Sequence, residues 1–227
     1  MYPEFTVRFG GSRRARIYVP TRVETPAPVL LLFDGQNVFD DASSYAGGWH
    51  ADEVIERLPS TVRRPIVVAL DHGGTARIHE LWRGLDPLLA CVIHELLPAV
   101  AARLPVEPGC VVGGASMGGL ASLVALMRHP EVFHAALCMS PSFWLAQPDV
   151  FAEVRSRPIP ARARVYIDVG GRESHGMRLH AESMAELLAM RGDSLMWRAD
   201  KRGGHHERHW RRRLPKALRW LFRRPRK

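Results

Sequence analysis

Apolar residues follow two rhythms along this chain. Over residues 5–9 and 15–19 they alternate with other residues, and Gly10-Gly11-Ser12 lies between the two runs. Alternation sends every second side chain to one face, which predicts an antiparallel hairpin at a sheet edge. Thr25-Pro26-Ala27-Pro28 then breaks the chain, and Val29-Leu30-Leu31-Leu32-Phe33 is apolar throughout, as expected of a strand covered on both faces. From there, short apolar runs alternate with segments of helical spacing. Strands are predicted over 65–70, 110–112, 134–139, 164–169 and 194–199. Helices are predicted over 51–58, 86–104, 120–127, 149–155, 175–190 and 207–223, and Pro87 suits the first turn of the long one. Residues 34–49 and 71–83 read as loops. Strands alternating with helices after a hairpin imply an α/β fold of about eight strands, mostly parallel, with helices on both faces. No internal repeat or low-complexity linker interrupts the 227 residues, so one domain over 1–227 is expected.

Within that pattern one junction carries chemistry. Cys110-Val111-Val112 reads as a buried strand and residues 120–127 as a buried helix, with Gly113-Gly114-Ala115-Ser116-Met117-Gly118-Gly119 between them. Strand, sharp Gly-rich turn, Ser, helix is the context of a nucleophile elbow. Side chains at 114 and 118 would collide with neighbouring backbone in such a turn. The turn lifts the Ser116 hydroxyl clear of the sheet and leaves the Met117 N–H at the helix start, aimed at a developing oxyanion. The competing reading is a Gly-rich turn that happens to carry a serine.

A serine hydroxyl needs a base to take its proton. In this fold the base is expected after the last strand and the acid after the strand before it. The loop after Ala199 holds His205 and His206, both candidates for the base. The loop after Val169 holds Glu173, the first candidate for the acid; Asp168, expected within the strand, is the second. A second oxyanion donor is expected after the third strand, where Asp34-Gly35-Gln36 stands, and the Gln36 backbone N–H is the candidate. His205, Glu207 and His209 also raise a metal reading. The H-E-x-x-H motif needs Glu directly after the first His, and His206-Glu207-Arg208-His209 is one residue short, so no metal is expected. Trp49, Trp82, Phe143 and Trp144 fall in loops near the expected mouth, where they would stack on an aromatic acyl group or pack the loops. Arg77 and Arg172 would meet an anionic substrate, or pair with Glu80 and Glu173. Of these, Trp49, Arg77 and Trp144 are the candidate substrate-binding residues.

These residues also carry a resemblance. Asp34-Gly35-Gln36-Asn37 with Phe39-Asp40 is similar to a DGQN-x-FD stretch, and Trp49 with Asp52-Glu53 to a W-x-x-DE element. Arg77-Ile78-His79-Glu80-Leu81 is similar to R-x-x-E-aromatic, with Leu81 departing from the aromatic. Gly114-Ala115-Ser116-Met117-Gly118-Gly119-Leu120 resembles a G-x-SMGGL elbow. His129-Pro130-Glu131-Val132-Phe133 and Ser140-Pro141-Ser142-Phe143-Trp144 match two further elements, and Gly203-Gly204-His205 with Glu207 and Trp210 resembles GGHxE-x-x-W. Together, from about residue 29 to 220, they resemble an esterase family of the α/β-hydrolase superfamily. That family includes enterochelin (ferric-siderophore) esterases, feruloyl esterases, S-formylglutathione hydrolase and the mycolyltransferases. The resemblance implies Ser116 as nucleophile, His205 as base and Glu173 as acid, with Gln36 and Met117 at the oxyanion. It implies an enterochelin-esterase-like serine hydrolase acting on a small-molecule ester, without a cofactor. The rivals are acyl transfer to an alcohol and a non-catalytic binding protein on the same fold.

Charge and composition change the picture in two places. Ten of the 32 Lys/Arg lie between Arg208 and Lys227 with no carboxylate among them, leaving 22 basic against 23 acidic residues elsewhere. The net charge of +9 therefore belongs to the last helix and its tail. A nucleic-acid or acidic-membrane surface is one reading of that patch; a solvated helix face is the other, and it is preferred. Trp210, Leu214, Ala217, Leu218 and Leu221 recur at helical spacing, so one face of that helix must pack on the body. No apolar run reaches the ~18 residues of a membrane span. The start of the chain lacks a basic then apolar leader pattern, and the three cysteines form no C-x-x-C pair, so a cytoplasmic location is expected.

Overall fold

The computed structural model describes residues 4–224. Its strands are β1 (Glu4–Arg8), β2 (Ser12–Tyr18), β3 (Val29–Phe33), β4 (Ile66–Leu70), β5 (Cys110–Ala115), β6 (Phe133–Met139), β7 (Arg164–Gly170) and β8 (Ser194–Asp200). They form one sheet in the order β1-β2-β4-β3-β5-β6-β7-β8. The pairs β1–β2 and β2–β4 are antiparallel and the rest are parallel. After β4 the chain returns past β3 and adds β5 on its far side. The order therefore reverses between β3 and β5, and in an open parallel sheet the crevice beyond the carboxyl ends at such a reversal is the natural ligand site.

The helices are α1 (Ala51–Glu56), α2 (Arg77–Glu80), α3 (Leu85–Cys91), α4 (Leu97–Ala101), α5 (Met117–Arg128), α6 (Asp149–Ser156), α7 (His175–Met190) and α8 (Glu207–Leu221). Apolar positions that alternate along β3 feed two separate cores. Val29, Leu31 and Phe33 pack with residues of α3, α5, α6 and α7; Leu30 and Leu32 pack with residues of α1 and α8. The sheet is thus covered on both faces, which is why β3 and β4 are apolar at every position.

The structure departs from the sequence pattern where local sterics decide. The expected helix over 86–104 is α3, a wider π turn at Val92–Leu96, then α4. Pro98 lies in the first turn of α4; it has no N–H to give to the preceding turn and its ring crowds the carbonyl there. The expected loop over 71–83 contains a short 3-10 turn, Gly74–Ala76, and α2. It is tied down by Glu80, which accepts from Arg13 Nη1 at 3.1 Å and Nη2 at 2.9 Å in a buried pair. The strand expected over 110–112 runs on through Ala115, and the following helix starts at Met117 rather than at residue 120. Glycines that look like turn residues are strand residues here. A Cβ at Gly114 would stand 2.7 Å from the Gly118 carbonyl carbon, so only glycine lets β5 pass this close to α5. Among the described residues the three cysteines are buried and free, and no single helix is long and apolar enough to cross a membrane.

The contact at Gly114 leaves no flexible side chain to give way. Gly114→Ala is expected to cost about 1–3 kcal/mol of stability, seen as a lowered midpoint in urea unfolding. An unchanged midpoint would show that the β5–α5 junction relaxes more easily than its backbone contacts imply.

Candidate active site

Ser116 sits between β5 and α5 with φ 57° and ψ −119°, a backbone conformation rare for any residue with a side chain. Three hydrogen bonds hold it there. Its N–H donates to the Met139 carbonyl (2.9 Å), and its carbonyl accepts from Leu120 N–H (3.2 Å) and Ser142 N–H (2.9 Å). The hydroxyl lies 3.0 Å from the Ser142 hydroxyl. The Met117 N–H opens α5, where the first N–H groups have no carbonyl partner within the helix.

Across the strand reversal, Asp34-Gly35-Gln36-Asn37 leaves β3. Asp34 has φ 58° and caps a 3-10 turn, Gly35–Asn37. Gly35 presses on β4, for a Cβ there would stand 2.5 Å from the Ala69 carbonyl carbon. Arg16 Nη2 donates to the Gly35 carbonyl at 2.6 Å, and Asp34 accepts from Arg77 Nε and Nη2, both at 2.6 Å. These contacts fix Gln36 beside the carboxyl end of β5. Arg77 therefore pairs with Asp34 rather than with Glu80, whose partner is Arg13. A backbone turn brought Asp34 closer to Arg77 than the residue three positions away on its own helix.

The loops after β7 and β8 meet beside Ser116. His205 Nδ1 stands 3.4 Å from Glu173 Oε2, and the His205 ring lies edge-on to Trp210, with centroids 5.0 Å apart. Neighbouring histidines point elsewhere. His206 caps α8, its Nδ1 accepting from Arg208 N–H, and His209 Nδ1 accepts from Gly204 N–H at 2.7 Å. No group of three or more His, Cys, Asp and Glu side chains could hold a metal among the described residues. Asp168 is also fully buried but faces Ser140 N–H, the Tyr166 hydroxyl and Arg213, not His205. It lies inside β7, where it reaches the underside of the site.

Ser116, His205, Gln36, Trp49 and Arg77 line one cavity of about 250 Å³. Asn37, Tyr45, His72, Glu207 and Trp210 complete much of its wall. Trp144 does not line it. Its neighbour Phe143 is wholly buried, and in a 3-10 turn adjacent side chains point about a third of a turn apart, which leaves Trp144 44% exposed. Trp49 is buried against Trp210, at 5.9 Å between centroids. Sequence reasoning missed Ser140, Ser142 and Arg213. The two serines had a signal, since Ser140-Pro141-Ser142 follows β6 at the carboxyl edge. Arg213 had a weaker one, three residues after Trp210 on the same helix face. That face was expected to pack through Trp210 and its apolar neighbours; Arg213 is buried with them, 5% exposed, because the Asp168 and Glu173 carboxylates lie against its charge.

A family model described as Putative esterase matches residues 6–221. The iron(III) enterobactin esterase of Escherichia coli strain K12 is 35% identical over 227 residues, covering 93% of this chain and 54% of that protein. The protein YbbA of Bacillus subtilis strain 168 is 23% identical over 245 residues, 93% of each. The crystal structure of the enterobactin esterase FES from Shigella flexneri in the presence of enterobactin matches with a TM-score of 0.81 at 28% identity. That match covers 97% of this chain and 59% of the other. The chain spans about half the length of the enterobactin esterases it matches.

The two carboxylates differ in electrostatics. Burial pushes the Asp168 carboxyl up to about 6, and Arg213 and its hydrogen bonds only partly offset this. Burial also works against Glu173, but hydrogen bonds from His205, Ser140 and Gly170 N–H outweigh it and hold that carboxyl below the usual range. Burial likewise opposes the Arg77 charge, and Asp34 more than compensates. Asp168 binds its proton more tightly folded than unfolded, so its contribution to stability falls as pH rises from 3.8 to about 6. Glu173 has the opposite sign. Its contribution is complete above 4.5 and is lost as pH falls through its lower folded value. Carboxyl ¹³C shifts followed across the acid range are expected to show Glu173 titrating first, at lower pH than Asp168. The reverse order would mean that the hydrogen bonds to Glu173 do not outweigh its burial.

Proposed function

The chain belongs to the Putative esterase family, and from that premise we propose that it is a serine carboxylic-ester hydrolase working through an acyl-enzyme on Ser116. The observation that carries this reading is that Ser116 and His205 line one cavity, with Glu173 behind His205. A serine at φ 57° follows β5, and a Glu173–His205 pair joins the loops after β7 and β8. With the His205 Nδ1–H kept on the ring and directed at Glu173 Oε2, Nε2 is the atom left to take the Ser116 proton. The freed Ser116 oxygen attacks the ester carbonyl. The oxyanion that forms is received by the N–H groups of Gln36 and Met117, each such donor supplying roughly 3 kcal/mol. His205, now charged and stabilised by Glu173, gives its proton to the leaving alcohol. Water enters, His205 takes one of its protons as its oxygen attacks the acyl carbon, and the bond to Ser116 breaks as His205 returns the proton to the Ser116 oxygen, releasing the carboxylic acid.

The substrate we assign is an ester with an aromatic acyl group, of the kind found in catecholate siderophores. Two things support it: aromatic side chains of Tyr45, Trp49 and Trp210 in the cavity wall, and the likeness to iron(III) enterobactin esterases. Arg77, with Nε and Nη2 held by Asp34, has Nη1 left to meet a polar group of that substrate.

A fluorophosphonate probe is expected to label the wild type and not Ser116→Ala. Ser116→Ala and His205→Ala should each lower kcat by about 10⁴-fold or more, with the double variant little worse, because the two act as a unit. His206→Ala and His209→Ala should keep most activity. A folded Ser116→Ala within tenfold of wild type would sink the nucleophile assignment. A panel of catecholate trilactone, cinnamoyl and short-chain esters tests the substrate; a preference for short-chain esters would remove the aromatic-acyl reading. New esters formed in the presence of added alcohols would make the chain a transferase instead.

A further inference from the structure

Ser140 is the first residue after β6, 1% exposed, with φ 43°. Two bonds anchor its N–H, to the Asp168 carbonyl at 2.9 Å and to Asp168 Oδ1 at 3.2 Å. Its hydroxyl has three neighbours at hydrogen-bond distance. Trp210 Nε1 lies at 3.0 Å, Arg213 Nη2 at 2.7 Å and Glu173 Oε1 at 2.6 Å. A hydroxyl has one proton to give and two lone pairs to receive. Trp210 and Arg213 can only donate, so they fill both lone pairs. The hydroxyl proton then has one place to go, Glu173 Oε1.

Glu173 Oε1 also accepts from Gly170 N–H at 2.8 Å. With two donors on Oε1, the carboxylate cannot rotate without losing both, and Oε2 is the oxygen left facing His205. We infer that Ser140 is a positioning residue that locks the Glu173 carboxylate in the orientation that serves His205, its own proton aimed by Trp210 and Arg213. The inference rests on the Glu173–His205 pair acting as acid and base. It adds a task to α8: Trp210 and Arg213, three residues apart on one face, set the direction of a proton on a different strand end. The same short turn reaches the nucleophile, since Ser142 N–H holds the Ser116 carbonyl. One segment, Ser140-Pro141-Ser142, therefore touches both halves of the constellation.

The test is a double-mutant cycle with p-nitrophenyl acetate as substrate. Ser140→Ala is expected to lower kcat by about 10- to 100-fold with KM nearly unchanged, less than the ~10⁴ of a lost acid. It should also remove the downfield imidazole proton resonance that an Nδ1–H bond to a carboxylate gives in ¹H NMR. Ser140→Gly, suited to the positive φ, should behave alike and serves if the alanine variant does not fold. In a Glu173→Gln background, Ser140→Ala should cost nothing further, because the group it positions is already gone. Losses that multiply would overturn the inference, as would wild-type kcat in Ser140→Ala beside a crippled Glu173→Gln. Wild-type kcat in Glu173→Gln would overturn the acid assignment itself, and this inference with it.

Discussion

The buried guanidinium of Arg213 is the interaction on which the candidate site depends. It lies against Asp168 at 3.4 Å and Glu173 at 3.7 Å, with both carboxylate side chains fully buried. A charge removed from water is tolerable only when paired, and here a single cation faces two anions. The imbalance is resolved unequally. Asp168, inside β7, takes up its proton more readily, whereas Glu173 has enough donors to stay ionised. Two acids one turn of loop apart thus acquire different characters from their surroundings alone. The same guanidinium ties α8 to β7, so the helix that closes one face of the sheet also settles the charge beneath the site.

The rest of the architecture serves to bring remote strand ends to that place. The reversal of strand order between β3 and β5 sets Asp34-Gly35-Gln36 beside Ser116, and the next strands carry Ser140, Glu173 and His205 along the same edge. Close backbone approaches at Gly35 and Gly114 allow no side chain, and they fix the turns that carry Gln36 and Ser116. Much of the terminal positive charge is also used within the molecule. Arg211 pairs with Glu53, Arg212 with Asp200 and Arg224 with Glu24, so the basic last helix and the segment after it grip the near-neutral body through its carboxylates.

The sheet and the chain order of Ser116, Glu173 and His205 were legible in the sequence because they rest on periodicity and on strand ends. β3 and β4 are apolar at every position, and that pattern allows few alternatives. The π turn before Pro98 was hidden because apolar spacing continues through it, and the missing N–H and crowding ring of one proline leave no mark on that spacing. Adjacent aromatics such as Phe143 and Trp144 carry no sign of which one turns inward; packing decides. Ser140 and Arg213 read as an ordinary loop serine and one arginine among many. Their significance comes from contacts across 33 and 73 residues of sequence, which no local pattern reports.

α8 begins two residues after His205, and its first turns supply Trp210 and Arg213. The imidazole, the indole that steadies it and the cation behind the acid therefore share one docking event. Ser116, its strained turn and the N–H groups of Gln36 and Met117 that we propose as oxyanion donors belong to the ends of β3 and β5 and the start of α5, elsewhere in the sheet. The two halves need not come apart together. Partial opening of a protein proceeds in contiguous units, and a unit containing α8 would take away the base we propose, His205, while the turn at Ser116 stayed folded. Such a state would keep the cavity's serine and lose the reactivity we propose for it. Turnover would then report the seating of a single helix, and would fade on heating or in denaturant before the central strands gave any sign of melting.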